Sequence, residues 1–446
     1  MGTRGATPAW PRLGRARSTA SFVGAAGSLA VASLYPGLGA MAWAGAAALA
    51  FGLSSSDTPA RRLLGGGGVV LVYFFATFVP LIPSLMSYGD VSLARALVGV
   101  VELTVVFGAT LHVALLPLVV FARRLPVWVS LPLAWSAGEW LEVFTSKAPY
   151  ADLLYTQWQV QPILRALGRF GWYPTLFGWL LGCAAIGDGL ARRRAWVALS
   201  GAVVLAVLGL LPPLPARGEE VLAGVAAVQM SDVWNPPATL PDHLRLVVWP
   251  EATRTTELVP IEEGERSGSA ADFPGLGDQE ARPAELINVV AETSRGLMNA
   301  TVAVDPERHT VAMRGKTDLA PVGERRFLGV GSNVWAPGSG LPMLVVGGHR
   351  VIPAICYEAF SRELVADGRA KGGDLLAIMS NDYPILEDPG ALSRSMGAAV
   401  LRSVEFGIPV VRAALAGEGA LILPDGTIVA NGSMHTTTVL QVGGSP

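Results

Sequence analysis

Residues 20 to 213 are a succession of long apolar stretches, and that alone limits what the first half of the chain can become. Seven candidate spans fall at 20–36, 38–55, 65–87, 93–121, 126–144, 168–190 and 195–213, near the length at which a helix crosses the hydrocarbon layer. The first two are short and rich in Gly and Ala, and read equally as a re-entrant hairpin or a signal-like start. The chain as a whole is 51% hydrophobic and only 15% charged, with a mean hydropathy of +0.45. Ordinary soluble proteins are less apolar than this, so a membrane protein is expected. A net charge of −2 gives nucleic acid no attraction as a partner.

Arginine sets the expected orientation. Arg4, Arg12, Arg15 and Arg17 precede the first span, Arg61 and Arg62 follow the second, Arg123 and Arg124 the fourth, and Arg192, Arg193 and Arg194 the sixth. These clusters fall on alternate connections, which the positive-inside rule places in the cytoplasm. Seven spans then leave everything after residue 213 outside. Glu102 and His112 in the fourth span and Glu139 in the fifth are costly there. They read either as helix-packing groups or as the lining of a substrate path. Tyr155, Gln157, Trp158 and Gln159, after the fifth span, read as interfacial anchors.

Residues 214–446 alternate short apolar runs with polar stretches, the pattern of an α/β domain. Expected strands are Val221–Gln229, Leu244–Trp249, Ala300–Val304, Thr310–Met313, Val351–Ile355, Leu375–Met379 and Pro409–Ala413. Expected helices are Ala284–Ser294, Phe360–Gly368 and Leu392–Phe406, and residues 261–282 read as a mobile loop. The domain division is therefore 1–213 and 214–446.

Three chemical side chains follow three of these strands: Glu251 after Trp249-Pro250, Lys316 after Arg314-Gly315, and Cys356 after Ile355. Singly, each has a bland explanation: a solvated turn, an exposed lysine, a buried structural thiol. Together, at strand ends where α/β sheets collect ligands, they form a reactive set. Cys356 is one of two cysteines, the other being Cys183 within an apolar segment, so no structural disulfide is expected. A thiol attacks as thiolate and needs a base or a nearby cation. Glu251 in a low-dielectric pocket would take the proton, and Lys316 would favour the thiolate and stabilise an oxyanion. The set supports acyl transfer through a thioester on Cys356 and requires no metal or organic cofactor.

These residues resemble the carbon–nitrogen hydrolase (nitrilase) superfamily, in particular its apolipoprotein N-acyltransferase branch. The matching stretches are Val248-Trp249-Pro250-Glu251, Lys316 through Glu324, Ile355-Cys356-Tyr357-Glu358 and Ser380-Asn381-Asp382. Arg402-Ser403-Val404-Glu405 followed by Pro409 through Ala413 matches as well, and the apolar half resembles that branch's membrane domain around Trp135–Glu139. The resemblance implies a polytopic helical membrane domain followed by an α-β-β-α sandwich on the outer face of a bacterial cytoplasmic membrane. It implies Glu251 as general base, Lys316 as oxyanion stabiliser and Cys356 as the acylated nucleophile. Glu324 and Glu358 would be supporting acids that orient Lys316 or the thiol. Tyr357 would neighbour the acyl chain, and Trp249 and Asn381 would belong to the substrate-binding shell. The implied reaction carries an acyl chain from a phospholipid to Cys356, then to the N-terminal amine of a diacylglyceryl-cysteine lipoprotein.

The chain departs from the branch in several places. Only 22 positions separate Gln229 from Glu251, so a shortened helix is expected there. Tyr383-Pro384 follows Asp382 where the branch has a small residue and Trp, and Leu415-Ala416-Gly417-Glu418 replaces its Asn-Thr-Gly turn. No apolar run near Pro446 is long enough for the branch's eighth span. A membrane-tethered amidase using water, and a non-catalytic receptor or assembly protein, remain as alternatives. A transporter lacks support, since no pair of Gly/Pro-broken spans repeats between two halves.

Overall fold

The computed structural model describes residues 10–88, 91–122, 124–233, 235–237, 239–252, 258–260, 263–264, 283–306, 310–321, 323–325, 335–341 and 343–443. The expected loop at 261–282 lies outside them except at 263–264.

The first half is helical throughout. The helices are α1 (Trp10–Leu34), α2 (Met41–Ser55), α3 (Pro59–Phe78), α4 (Ile82–Tyr88), α5 (Leu93–Thr104), α6 (Thr110–Phe121), α7 (Val127–Ser146), α8 (Gln161–Phe170), α9 (Trp172–Ala191) and α10 (Ala195–Leu210). Each expected span coincides with one of them or a joined pair. Among the described residues, two helical stretches, Pro59–Ser87 and Trp172–Ala191, are long and apolar enough to cross a membrane by length and composition. The others fall short for identifiable reasons. Helices α2 and α10 have 15 and 16 residues, a π-helical segment at Val105–Ala109 divides the fourth span, and α7 carries Glu139 and Glu142. Helix α8 escapes an apolar-run criterion because it is amphipathic. Ile163, Leu164, Ala166 and Leu167 are buried, while Arg165 and Arg169 reach across to the Leu211 and Pro213 carbonyls.

The aromatic loop after α7 is a correction. Tyr155 and Gln157 are not interfacial anchors but are almost fully buried. The Gln157 Nε2 donates to the Gly39 carbonyl (2.8 Å) and its Oε1 accepts from Trp43 Nε1 (2.7 Å). A buried Gln is tolerable because both ends of its amide are satisfied.

Among the described residues the second half is built on thirteen strands. They are β1 (Val225–Met230), β2 (Leu246–Val248), β3 (Leu258–Pro260), β4 (Ala284–Thr293), β5 (Gly296–Val304), β6 (Thr310–Gly315), β7 (Leu344–Val346), β8 (His349–Ile355), β9 (Leu375–Asn381), β10 (Val410–Leu415), β11 (Ala420–Ile422), β12 (Ile428–Asn431) and β13 (Thr438–Leu440). The main path runs β6-β5-β4-β2-β1-β10-β9-β8-β7. Its two ends curl together until β6 lies against β7 and β5 against β8. Leu246, Leu286, Ala303, Val351, Ala377 and Val411 fill the space enclosed between the two halves of the sheet.

The segment Ala284–Ser294, expected as a helix, is strand β4, paired antiparallel with β5 from Glu285↔Val304 to Thr293↔Gly296. Both of its faces are buried over most of its length. Apolar residues then stop alternating, and the two-residue period that marks a strand disappears.

Helices α11 (Glu219–Leu222), α12 (Arg362–Ala370) and α13 (Pro389–Phe406) complete the half. Of these, α12 and α13 cover the outer face of β8, β9 and β10, and the N-terminal helices pack against them in one continuous apolar cluster. The opposite face, carrying Val228, Val247, Ile287 and Val302, is covered by Val233, Leu240, Ala336, Tyr383 and Val439. Among the described residues the expected four-layer sandwich therefore has its helical layer on one side only. The short connection from Gln229 to Glu251 forms no helix over its described residues.

A buried joint ties the two halves together. Arg402, fully buried on α13, donates to the Tyr155 hydroxyl at 2.8 Å and lies 4.7 Å from the Trp172 ring centroid. Arg362 lies 4.7 Å from the Tyr173 ring centroid. Both guanidiniums bond to Glu405, which offsets one of their two charges inside the joint.

Candidate active site

Strands β8, β9, β10, β1 and β2 run parallel in succession. Strand β4 is parallel to β2 and related to β6 through two antiparallel pairings. All these strands therefore end at one edge, which gathers Glu251, Lys316, Cys356 and Asn381. Lys316 and Cys356 follow β6 and β8, which are far apart along the sheet path. Only the curling of the sheet makes them neighbours.

The backbone at this edge is unusual. Cys356 has φ 52°, Ala252 beside Glu251 has φ 62°, and Ala416 after β10 has φ 65°. L-residues rarely hold such angles, at about 1–3 kcal/mol each, and they tend to cluster where a fold presents reactive groups.

Lys316 Nζ is 2.8 Å from Glu324 Oε1 and 3.8 Å from Glu251 Oε1. Asn299, on β5, bridges the two acids. Its Nδ2 donates to Glu251 Oε1 at 2.8 Å and to Glu324 Oε1 at 3.1 Å. Asn288, on β4, holds Asn299 in turn (2.7 Å) and accepts the Ala252 N–H (2.9 Å). The Asn381 N–H donates to Glu251 Oε2 at 3.2 Å, and the Asn381 side chain accepts from the Tyr383 N–H at 3.1 Å. Glu324 also receives the Ala320 N–H at 2.7 Å.

Glu358 serves the loop after Cys356. Its Oε2 accepts the Ile355 N–H (2.9 Å) and its Oε1 the Thr317 N–H (2.7 Å). One carboxylate therefore fixes the residue before the thiol and the residue after the lysine. Trp249 turns into the core and donates to Glu285 at 3.1 Å. The Tyr357 hydroxyl donates to the Ala148 carbonyl, in the segment between α7 and α8.

The electrostatics follow from burial. Glu251 is raised above the usual carboxylate range because it is desolvated, with Lys316 opposing the rise. Cys356 is raised by burial and then by Glu251, again against Lys316, so its resting state is the thiol. Burial disfavours the Lys316 cation, but Glu324 and Glu251 outweigh it and hold the lysine protonated. A buried base, a hydrogen-bonding thiol and a fixed cation thus meet in one place. Such a set can take a proton from the thiol as the sulfur attacks, while the cation faces negative charge that develops nearby.

Cys356 and Tyr357 open on a cavity of about 190 Å³. Its other walls include Ser380, Asp382 and Phe360 from the second half and Phe78, Leu81, Leu103, Glu142, Ser146 and Tyr150 from the first. Of the three polar residues singled out in the helical half, His112 is enclosed between Phe74 and Trp135 with Nδ1 2.9 Å from the Gly108 carbonyl. Glu139 accepts from Trp135, the Leu153 N–H and Trp172. Neither of these two, nor Glu102, lines the cavity; Glu142 does. Sequence reasoning missed Asn288, Asn299, Arg314 and Glu142. The two asparagines stand out only once β4 is known to be a strand, as buried amides in an otherwise apolar pair.

Residues 224–443 match the model of the carbon–nitrogen hydrolase family. Over that stretch, just under half of its length, the chain is similar to that family. Its similarity within the family is to apolipoprotein N-acyltransferases. The one from Pseudomonas putida is 27% identical over 384 residues, 72% of this chain and 73% of that protein. The one from Shewanella oneidensis is 39% identical over 100 residues, 22% of this chain and 19% of that protein. The Shewanella match thus spans less than a fifth of that relative's length. Among solved structures, the nitrilase-superfamily protein Nit3 of Saccharomyces cerevisiae is 16% identical with a TM-score of 0.37, covering 48% of this chain and 87% of its own.

Proposed function

We propose that this protein is a membrane N-acyltransferase of the lipoprotein type, working through a thioester on Cys356. The observation that carries the reading is the cavity. The candidate nucleophile opens on a space walled jointly by the strand ends and by apolar side chains of the N-terminal helices. A polar small-molecule amide has no need of such walls, whereas an acyl chain does.

A membrane setting is supported by where apolar side chains meet solvent. Among the described residues, 29 large hydrophobic side chains are exposed; 27 of them precede residue 213, and Val345 and Met434 follow it. A soluble surface rarely gathers apolar side chains in this way, and a lipid-facing one does. The seven-span topology, with the second half outside the cytoplasm, follows from the arginine clusters on alternate connections.

In the proposed first half-reaction Sγ attacks the ester carbonyl of a phospholipid as Glu251 takes the thiol proton. The carbonyl pair moves onto oxygen beside Lys316. Collapse breaks the acyl C–O bond, and Glu251 returns the proton to the departing lysophospholipid alkoxide. In the second half an amine attacks the thioester, Glu251 takes the amine's proton, and the C–S bond breaks. Sulfur leaves as thiolate and recovers the proton from Glu251. Asn299 and Glu324 position the base and the lysine, and the Arg314–Glu358 pair positions the cysteine loop.

The test is intact-mass spectrometry of the full-length protein incubated with phosphatidylethanolamine. An acyl adduct on Cys356 that a diacylated lipopeptide removes, and water removes slowly, is the expected result. An adduct cleared equally fast by water would make the protein a membrane-tethered hydrolase. No adduct would overturn the acyl-enzyme reading.

A further inference from the structure

Glu142 is the one acidic side chain of the helical half that lines the cavity of Cys356. It is 1% exposed, and neither of its carboxylate oxygens has a hydrogen-bond partner. Buried carboxylates are normally paired, because an unpartnered one forfeits several hydrogen bonds to water. The charges around it offer no compensation. Glu139 and Asp152 stand nearby and repel it. Arg362 and Arg402, which act on neighbouring Asp152, are themselves bonded to Glu405. Of Glu139, Glu142 and Asp152, Glu142 is the one that lines the cavity.

We propose that Glu142 is the subsite for a primary ammonium group borne by a lipid substrate, seated in the same cavity as the nucleophile. The inference rests on the acyltransferase reading and deepens it. The ligand class follows from the chemistry of the site. Glu142 has its two oxygens free on largely apolar walls, where the other acid, Asp382, is already paired with Arg412, and no group of three or more acidic, His or Cys residues suited to a metal occurs among the described residues. That suits one compact cation with N–H donors more than a metal, which needs further ligands. Two substrate groups carry that chemistry: the headgroup amine of a donor such as phosphatidylethanolamine, and the N-terminal amine of the acceptor. In either case the ammonium completes a buried ion pair, which makes the cavity selective for amine-bearing lipids over neutral ones.

The experiment compares the wild-type chain with Glu142→Gln in two arms, both read on the full-length protein. In the donor arm, Cys356 acylation is followed with phosphatidylethanolamine, phosphatidylglycerol and N-acetylated phosphatidylethanolamine of identical acyl chains. In the acceptor arm, the acylated protein is chased with a diacylated lipopeptide, and KM and kcat are separated. A headgroup site predicts that wild type prefers phosphatidylethanolamine and that Glu142→Gln erases the preference. An acceptor site predicts a KM for the lipopeptide raised about ten- to hundredfold in Glu142→Gln, the worth of one hydrogen-bonded charge. The N-acetylated lipid tests the donor site on the wild-type chain, and an N-blocked lipopeptide competing with the chase tests the acceptor site likewise, so a poorly folded variant leaves both arms readable. Wild type that acylates normally, ignores headgroup charge, is inhibited equally by blocked and free lipopeptide and matches Glu142→Gln in KM overturns the ammonium site but not the acyltransferase. Wild type that forms no adduct overturns both.

Discussion

Arg314 holds Glu358 through two parallel bonds, Nη1 to Oε2 at 2.7 Å and Nη2 to Oε1 at 2.6 Å, and both side chains are fully buried. The arginine comes from β6, two residues before Lys316. The glutamate lies two residues after Cys356. The fork therefore sets the spacing between the lysine and cysteine loops, because the same carboxylate also accepts the Ile355 and Thr317 N–H groups. Burial favours the neutral acid, but the guanidinium overrides it and keeps Glu358 below the usual carboxylate range.

Replacing Arg314 with Met leaves that carboxylate buried and unpaired. The expected cost is about 3–5 kcal/mol of stability, since breaking one side of a buried pair strands the other charge. Thermal unfolding measures it. Acylation of Cys356 should fall further than stability alone explains. A variant melting like wild type would show that the fork does not hold the loop.

Cys356→Ser removes the sulfur and keeps the shape. The adduct from phospholipid should vanish, with unfolding temperature shifted little. A serine hydroxyl is much the poorer nucleophile, and a base tuned to a thiol does not rescue it. Retained lipopeptide acylation at the wild-type rate would place the chemistry on another residue.

Glu251 gives a pH signature. Burial raises its folded-state value above the ordinary 4.5, so the folded protein binds this proton more tightly than the unfolded chain. Between 4.5 and the folded value, its contribution to stability falls as pH rises. Glu251→Gln should flatten that part of the melting-temperature profile and slow acylation by about 10²–10⁴-fold. The wild-type acid limb of acylation should lie above pH 4.5, where the buried acid ionises. Identical profiles for the two proteins would exclude Glu251 as the titrating base.

Arg402→Met tests the joint between the halves. It removes the donor to Tyr155 and the cation over Trp172, while Arg362 still neutralises Glu405. A loss of about 2–4 kcal/mol is expected from the vacated bonds and ring contact. Protease should then cut between residues 211 and 219 sooner than in wild type. Unchanged cleavage would locate the coupling elsewhere.

Much of the candidate site was legible in order along the chain. Glu251, Lys316 and Cys356 each follow an apolar run, and strand ends are where an α/β sheet exposes side chains. Glu324 and Glu358 were named from the resemblance, but Asn299 and Arg314 were not legible. Asn299 lies in the middle of a strand, and Arg314 reads as one more surface charge until its partner, 44 residues away, comes into reach. Glu142 sits one turn from the better-placed Glu139 and differs from it only in what surrounds it.

The linear chain by itself determined the helical first half, the α/β second half and the residue types of the candidate set, because apolar period and residue type are local properties. The tertiary structure decided that β4 is a strand, since burial on both faces had erased its period. It decided that Lys316 meets Cys356, since their strands stand near opposite ends of one sheet that closes on itself. It also decided which acid in α7 is satisfied and which is left facing the cavity. Hydrogen-bond partners are a property of packing, and packing brings together residues that sequence holds apart.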